Sequence, residues 1–256
     1  MTDTNLAGQT VLITGAGGAL GRAAAVALAA QGADLVLADI SEEAMGQTLA
    51  LVPGARAVVA DVVDADALAT LAQTAREAFG RPVTSLVAAA GIFGRNRKLI
   101  DYSEDEYDQM MDLNVRGLWR LAKVIIPQMR EAGGGAIVLF SSTAGLQASR
   151  DVPLYSISKA AVVMMTRTLA LNHADEGIRV NCVCPATIES PMAQGSIAFA
   201  HGAEAQAERR ARIVAAHPMG RLGLPEEVAK AVVWMLTDAS SYTTGAAIPV
   251  DGGRLA

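Results

Sequence analysis

The chain has 256 residues, of which 52% are hydrophobic and 18% are charged, and its formal net charge is −5. So large an apolar fraction supplies a buried core and excludes a wholly disordered protein. The excess of acidic residues argues against a nucleic-acid-binding protein, which relies on a basic patch. No apolar run approaches the ~20 residues that span a bilayer. The polar start of the chain, residues 1–5, lacks the layout of a signal peptide.

The cysteines and histidines have no spacing typical of a metal site. Cys182 and Cys184 lie close together in an apolar stretch, and no second cysteine pair exists to complete a zinc site. We expect both to be reduced residues of the core, which favours a cytoplasmic protein. His173, His201 and His217 are scattered along the chain, so no metal ion is predicted.

Short apolar segments alternate with longer helix-forming segments. The predicted strands are 10–14, 34–39, 55–60, 83–89, 135–141, 179–184 and 247–250, and the predicted helices are 19–30, 42–51, 64–79, 104–130, 153–175 and 225–236. Because the strands are apolar almost throughout, helices are expected on both faces of a parallel sheet. The pattern predicts an α/β fold, with one doubly wound (Rossmann) parallel sheet of about seven strands in a single domain, 1–256.

The segment from about 188 to 218 breaks this alternation. It is polar, rich in alanine and partly helix-forming, and it lies between two elements of the regular pattern. An insertion of this size in a compact domain is more often a lid or a binding loop than an idle connection. We therefore predict that it forms a lid over a bound substrate.

A glycine-rich turn follows the first predicted strand and opens the first predicted helix. Its residues are Gly15, Gly17, Gly18, Ala19, Leu20 and Gly21. Glycines allow bare backbone N–H groups to approach a pyrophosphate, and the start of the helix adds the positive end of its dipole. The turn predicts a dinucleotide site, although taken alone it is equally compatible with a structural role.

Asp39 ends the second predicted strand. A carboxylate at this place in a dinucleotide-binding unit accepts hydrogen bonds from the adenosine ribose hydroxyls, and it repels the 2′-phosphate of NADP. Ile40 and Ser41 follow it, so no adjacent arginine is present to bind that phosphate. The sequence therefore favours NAD over NADP as the cofactor.

Tyr155 and Lys159 are spaced one helical turn apart, which places them on one face of a predicted helix. A free tyrosine has a pKa near ~10 and is protonated at neutral pH, whereas a nearby ammonium favours the phenolate. We predict that Lys159, together with the positive nicotinamide of an oxidised cofactor, lowers the pKa of Tyr155. A tyrosine and a lysine at this spacing are unremarkable in isolation.

Ser142 and Asn114 complete a set that precedes Tyr155 and Lys159 in the chain. Behind the glycine turn, this set resembles the short-chain dehydrogenase/reductase family, and the resemblance extends over essentially the whole chain. It implies that Tyr155 is the general acid or base and that Ser142 orients the substrate oxygen. It also implies that Lys159 binds the nicotinamide ribose and that Asn114 holds a water linking Lys159 to solvent. Ser141 is the alternative to Ser142, but the spacing to Tyr155 favours Ser142.

The resemblance also implies cofactor contacts at further positions. Beyond the glycine turn and Asp39 they are Ile40, Asp61, Val62, Ala89, Ala90, Gly91, Tyr155, Lys159, Pro185, Ala186, Ile188 and Ser190. The backbone of Ile188 and the hydroxyl of Ser190 fall where the family meets the nicotinamide carboxamide. Ala19, Ala186 and residues 88–89 stand where the family usually has glycine or asparagine, which weakens individual contacts.

The expected activity is that of an NAD-dependent oxidoreductase that interconverts a secondary alcohol and a ketone. Family members are commonly homotetramers, so a homotetramer acting on a small-molecule alcohol or ketone is expected. One alternative is a reductase of 3-oxoacyl thioesters, although such reductases usually use NADPH. An alternative of another class is a non-catalytic dinucleotide-binding sensor or scaffold.

The segments expected around the substrate contain several large apolar residues. They carry Phe93, Leu146, Met192, Ile197 and Phe199, which indicates an apolar substrate without a phosphate group. Three arginines flank the expected site, namely Arg95, Arg97 and Arg150. We interpret them as solvated surface charges in preference to a grip on a substrate carboxylate.

Overall fold

Seven parallel strands form one sheet in residues 5–256, the part of the chain that this computed structural model describes. The strands are β1 (Thr10–Thr14), β2 (Asp34–Asp39), β3 (Arg56–Val59), β4 (Ser85–Ala88), β5 (Gly135–Phe140), β6 (Ile178–Pro185) and β7 (Ala247–Val250). Their order is β3-β2-β1-β4-β5-β6-β7, and every pairing is parallel. The predicted fold class is confirmed, and the strand ends differ from the predicted ones by a residue or two.

The helices cover both faces of this sheet. They are α1 (Ala19–Ala29), α2 (Glu42–Leu49), α3 (Ala65–Ala78), α4 (Glu104–Met111), α5 (Gly117–Glu131), α6 (Pro153–His173), α7 (Pro191–Ile197), α8 (Ala203–Ala215) and α9 (Pro225–Leu236). On β1, Leu12 packs with side chains of α3, α5 and α6, whereas Val11 and Ile13 pack with α1 and α9 on the other face. The strands are apolar throughout because both of their faces are buried.

The helix predicted over 104–130 is wrong as one continuous α-helix. A π-helical turn, Asp112–Arg116, separates α4 from α5. The predicted start of α4 is confirmed, since Ser103 and Glu106 form a reciprocal capping box. A π turn contains one residue more than an α turn and therefore rotates the side chains that follow it, often at a functional site. Asn114 lies within this turn.

The carboxyl ends of the central strands place the predicted site at one edge of the sheet. The strand order reverses between β1 and β4, and ligands of such sheets bind in the crevice outside this switch point. The glycine turn follows β1, Ser142 follows β5 and Ala186 follows β6. The interval 188–218 contributes α7 and α8, which lie outside the strand–helix alternation as predicted.

The two cysteines are free thiols buried in β6. Within residues 5–256, no helix combines the length and the apolar character needed to cross a membrane.

Candidate active site

Tyr155 and Lys159 lie in the first turns of α6 and face the same way. Both are buried, with 8% and 4% of their surface exposed. The ammonium nitrogen of Lys159 is 5.6 Å from the centroid of the Tyr155 ring, and it donates a hydrogen bond of 2.7 Å to the carbonyl oxygen of Phe140. The spacing of the two residues along the helix thus brings them together, as the sequence predicts.

Burial of Tyr155 opposes the lowering of its pKa that is predicted for a site holding both Lys159 and an oxidised nicotinamide. Burial raises the pKa of Tyr155 to about 12, and a hydrogen bond with Ser142 opposes this rise only partly. Burial also lowers the pKa of Lys159 to about 8. Desolvation of the phenolate is the largest cause of this rise, and the Lys159 ammonium donates its hydrogen bond to the carbonyl of Phe140. An acidic Tyr155 therefore requires a further positive charge in the site.

The two neighbouring serines after β5 have different surroundings. The Ser141 hydroxyl donates to the carbonyl oxygen of Lys159 at 2.8 Å, which ties the end of β5 to α6. The Ser142 hydroxyl accepts from the amide of Ala144 at 3.1 Å and lies beside the Tyr155 phenol. Ser142 is therefore the serine that faces Tyr155, in agreement with the spacing argument.

Asn114 reaches the same site from the π turn. Its Oδ1 accepts from the amide of Ile92 at 2.9 Å, and its Nδ2 donates to the Ile92 carbonyl at 3.0 Å and to the Ser158 hydroxyl at 3.1 Å. A Cβ atom on Gly91 would lie 3.1 Å from Asn114 Oδ1 and 3.4 Å from Lys159 Nζ. Asn114 and Lys159 thus converge on Gly91, where a side chain would displace one of them by a few tenths of an ångström.

The glycine turn has the geometry of an anion cradle. Gly15 has a φ of +69°, and a Cβ there would lie 2.5 Å from the backbone nitrogen of Ala90. Gly18 is the N-cap of α1 and, having no side chain, makes no capping hydrogen bond. The first N–H groups of α1, which begins at Ala19, are left without a side-chain partner, and such groups bind phosphate. The cradle fits a dinucleotide pyrophosphate.

Asp39 holds the turn from the end of β2. One carboxylate oxygen accepts from the Gly17 amide at 2.9 Å, and the other accepts from the Ser41 amide at 3.0 Å. No arginine or lysine forms an ion pair with Asp39 within the described part of the chain. Each oxygen keeps a lone pair for another donor, and the charge is not neutralised.

Arg22 is a structural residue of this turn that the sequence analysis missed. Its guanidinium donates to the Gly17 carbonyl at 3.0 Å and to the Thr48 hydroxyl at 3.1 Å. It therefore fixes the turn to α2. An arginine one position after the last glycine gives no sequence signal of this role.

A cavity of about 200 Å³ opens beside Tyr155 and Ser142. Its apolar wall includes Phe93 and Met192, as expected, and also Leu20, Val152 and Ile213. Leu146 and Ile197 do not line it, and Phe199 lies behind Phe93, with the two rings stacked 6.0 Å apart. The remaining wall is polar, with Gln147, Ser149, Asp151, Arg209 and Arg254 among its residues. Apolar and polar residues therefore both line the cavity.

Known proteins match this chain over nearly its whole length. A family profile described as enoyl-(acyl carrier protein) reductase matches residues 15–254. An uncharacterized oxidoreductase of Thermotoga maritima is 39% identical over 255 residues, covering 98% of this chain and 99% of that protein. The chain belongs to the short-chain dehydrogenase/reductase family.

Two further short-chain dehydrogenases/reductases have named activities. The 2-(S)-hydroxypropyl-CoM dehydrogenase 3 of Xanthobacter autotrophicus is 35% identical to this chain and covers 98% of both proteins. The crystal structure of a levodione reductase matches with a TM-score of 0.92 at 32% identity, covering 98% of each chain. These proteins share the fold and the family with this chain, and each name describes the activity of its own protein.

The other positions predicted to meet the cofactor of this short-chain dehydrogenase/reductase surround the same crevice. Ile40 is exposed beside Asp39, and Val62 is buried after β3 beside Asp61. Residues 89–91 pack against the glycine turn. Pro185, Ala186 and Ile188 line the cavity on the side of β6.

Ser190 lies at the start of α7. Its hydroxyl donates to the Ile188 carbonyl at 3.0 Å and accepts from the Ala193 amide at 3.2 Å, so it caps α7. The Ser142 hydroxyl likewise donates to a backbone carbonyl, that of Pro185, at 3.4 Å. Ile188 forms a β-bridge with Gly223, and the two hydrogen bonds of this bridge use the carbonyl of Thr187 and the amide of Glu189. The amide of Ile188 itself takes no part in these bonds.

The arginines named from the sequence are not in the cavity wall. Arg95 and Arg97 pair with Glu106 at 3.5 and 3.0 Å, and neither they nor Arg150 line the cavity. The arginines that do line it are Arg209, from α8, and Arg254, near the chain end. No local pattern predicts this, because both residues are far in sequence from Tyr155.

Proposed function

We propose that this short-chain dehydrogenase/reductase is an NAD-dependent enzyme that interconverts a secondary alcohol and a ketone. The observation that carries the proposal is the placement of the Tyr155 and Ser142 hydroxyls at the wall of one cavity, next to the glycine turn. Lys159 lies behind them, 5.6 Å from the Tyr155 ring centroid. The proposal takes residues 1–256 as one domain, with the segment 188–218 as the substrate lid.

The protein's own part in the reaction is to orient the substrate and to move one proton. During oxidation, Tyr155 accepts the hydroxyl proton of the alcohol, and during reduction it returns a proton to the ketone oxygen. Ser142 donates a hydrogen bond to that same oxygen. Lys159 supplies one of the positive charges that favour the phenolate. A bound nicotinamide dinucleotide supplies the hydride exchange and, when oxidised, a second positive charge.

The charge of Asp39 supports NAD as the preferred dinucleotide. Its oxygens are held in place by the amides of Gly17 and Ser41 and retain lone pairs for the ribose hydroxyls. A 2′-phosphate at this place would meet an unneutralised carboxylate. The free N–H groups at the start of α1 would hold the pyrophosphate, and the backbone of Ile188 would hold the carboxamide.

The direct experiment is a comparison of initial rates with NAD and NADP on a panel of secondary alcohols. We expect turnover with at least one alcohol and a clear preference for NAD. An acetoacetyl thioester is included with NADH and NADPH, because the family profile is described by an acyl carrier protein substrate. Equal or better use of NADP would contradict the cofactor assignment, and thioester reduction without alcohol turnover would favour the alternative substrate class.

Exposed apolar side chains on α5 and α6 support a homotetramer. Trp119, Met164 and Leu171 have 51%, 57% and 84% of their surface exposed. Burial of such side chains against another copy of the chain stabilises an oligomer. Light scattering tests this part of the proposal, and the mass of a single chain in solution would contradict it.

A further inference from the structure

Two arginines with uncommitted N–H groups lie in the wall of the proposed substrate cavity. The Arg209 side chain is only 12% exposed; its Nε donates to the Ser196 carbonyl at 2.8 Å, and its Nη2 donates to the Asp151 carboxylate at 2.7 Å. Within residues 5–256, Arg209 Nη1 makes no hydrogen bond, and the Arg254 guanidinium makes neither a hydrogen bond nor an ion pair. The wall therefore offers unused donors of charge-assisted hydrogen bonds.

The balance of charge in this wall is positive. Arg209 and Arg254 line the cavity, and Asp151 is the acidic side chain among the described residues that line it. The Asp151 side chain is 46% exposed and Arg254 is exposed too, so solvent screens part of the charge of each. One positive charge remains uncompensated, which favours an anion in the cavity.

The positive region is separated from Tyr155 by aromatic rings. The Phe93 ring contacts the Tyr155 ring edge-on at a centroid distance of 5.0 Å and stacks on Phe199 at 6.0 Å. The Arg209 guanidinium lies 5.5 Å from the centroid of the Phe199 ring. Because Tyr155, Phe93, Phe199 and Arg209 contact one another in this order, a ligand with an apolar stretch between two polar ends suits this part of the site.

We propose, on the basis of the function proposed above, that the substrate carries a carboxylate at the end remote from the reacting carbon. The alcohol or ketone oxygen lies at Tyr155 and Ser142, and a short apolar chain passes over Phe93. The carboxylate binds to Arg209 and Arg254. A guanidinium presents paired N–H groups that match the two oxygens of a carboxylate, which gives both affinity and orientation.

A pair of inhibitors tests this inference with whichever secondary alcohol the enzyme oxidises best. Hexanoate and hexanamide have nearly the same shape, but only hexanoate is charged. We expect hexanoate to compete with the alcohol about tenfold more tightly than hexanamide, as a charge-assisted hydrogen bond predicts. A matched substrate pair, 5-hydroxyhexanoate and its methyl ester, is expected to show the same preference in kcat/KM.

Variants distinguish anion binding from a purely structural role of the arginines. Arg254→Gln is expected to remove most of the preference for hexanoate while leaving the inhibition constant of hexanamide within about twofold. Asp151→Asn is expected to strengthen inhibition by hexanoate, because it frees Arg209 from its competing carboxylate. If the ion pair of Arg209 and Asp151 only holds the lid in place, Asp151→Asn weakens the binding of both inhibitors or leaves it unchanged. Arg150→Gln, which removes a neighbouring charge outside the cavity, is the control and keeps the preference.

The outcomes separate this inference from the proposed function. Oxidation of alcohols with equal inhibition by hexanoate and hexanamide overturns the carboxylate assignment and leaves the proposed function standing. A preference for hexanoate that survives both Arg254→Gln and Arg209→Gln also overturns it. If no alcohol or ketone in the panel is converted, the proposed function fails and the substrate assignment falls with it.

Discussion

The ammonium nitrogen of Lys159 lies 5.6 Å from the centre of the Tyr155 ring, yet its hydrogen bond goes to a backbone carbonyl of β5. In this arrangement the influence of Lys159 on the Tyr155 phenol can be only electrostatic. Because burial raises the pKa of Tyr155 to about 12, the lysine charge alone leaves the phenol protonated at neutral pH. In the proposed mechanism, the positive charge of an oxidised cofactor is therefore needed for the phenol to act as a base.

Replacement of Tyr155 by phenylalanine removes the proposed proton carrier and little else. We expect turnover of any substrate to fall by a factor of about 10²–10⁴, the usual contribution of a positioned acid or base. NAD binding, measured by calorimetry, and the circular dichroism spectrum are expected to be retained. A Tyr155→Phe enzyme with a near-wild-type rate would show that another group moves the proton.

The depressed pKa of Lys159 predicts a specific dependence of stability on pH. Burial lowers the pKa of Lys159 to about 8 in the folded protein, from 10.5 for the free group. Between these values the unfolded chain binds a proton that the folded protein has lost, so the free energy of unfolding rises with pH. Between about pH 8 and 9.5, the free energy of unfolding of the wild type should therefore rise by about 1–2 kcal/mol more than that of Lys159→Met.

Urea titrations of the wild type and of Lys159→Met at several pH values measure this difference. The comparison of the two proteins cancels the contributions of the other titrating groups. The highest pH, about 9.5, stays below the ordinary pKa of tyrosine. Parallel pH profiles of the two proteins would mean that Lys159 is not desolvated as its position indicates.

The approach of Asn114 and Lys159 to Gly91 predicts a sensitive backbone position. The Cβ of alanine at residue 91 would lie 3.1 Å from Asn114 Oδ1, and accommodating it displaces one of the two side chains. We expect Gly91→Ala to lower kcat about tenfold while the fold is kept, because small displacements at a reacting site are costly. Gly46→Ala in α2 is the matched control, since a Cβ there meets nothing within 4 Å. The control should keep kcat and gain about 0.5–1 kcal/mol of stability.

The contacts of Asp39 predict how cofactor choice can be changed. Asp39→Ser removes the charge that opposes a 2′-phosphate, so the ratio of kcat/KM for NAD over NADP should fall by about tenfold or more. Glu43→Gln, a loss of charge on the nearby exposed start of α2, is expected to leave the ratio unchanged. A ratio that does not respond to Asp39→Ser would place the determinant of cofactor choice elsewhere.

The sequence predicts those parts of the site that depend on local geometry. The apolar strands, the glycine turn after β1 and the tyrosine–lysine spacing in α6 all follow from patterns a few residues long. The choice of Ser142 over Ser141 is local too, because adjacent residues at the end of a strand point in opposite directions. These features therefore agree between sequence and structure.

The features that the sequence did not predict depend on distant contacts. Burial of Tyr155 by several elements sets the direction of its pKa shift, and spacing along one helix contains no information about burial. The π turn at Asn114 carries no breaker residue. Glu106 binds the arginines of the neighbouring loop, whereas Arg209 reaches the cavity from a helix outside the regular alternation.

Titration of the Tyr155 phenol with and without NAD tests the central claim most directly. The ultraviolet difference between the wild type and Tyr155→Phe isolates this one phenolate signal. In the free protein the pKa of Tyr155 should be about 12. With saturating NAD, this pKa should fall to the ordinary value of 10.0 or below it. A pKa that is the same in the two titrations would contradict the account, because the phenol would then not become a base when the site is filled.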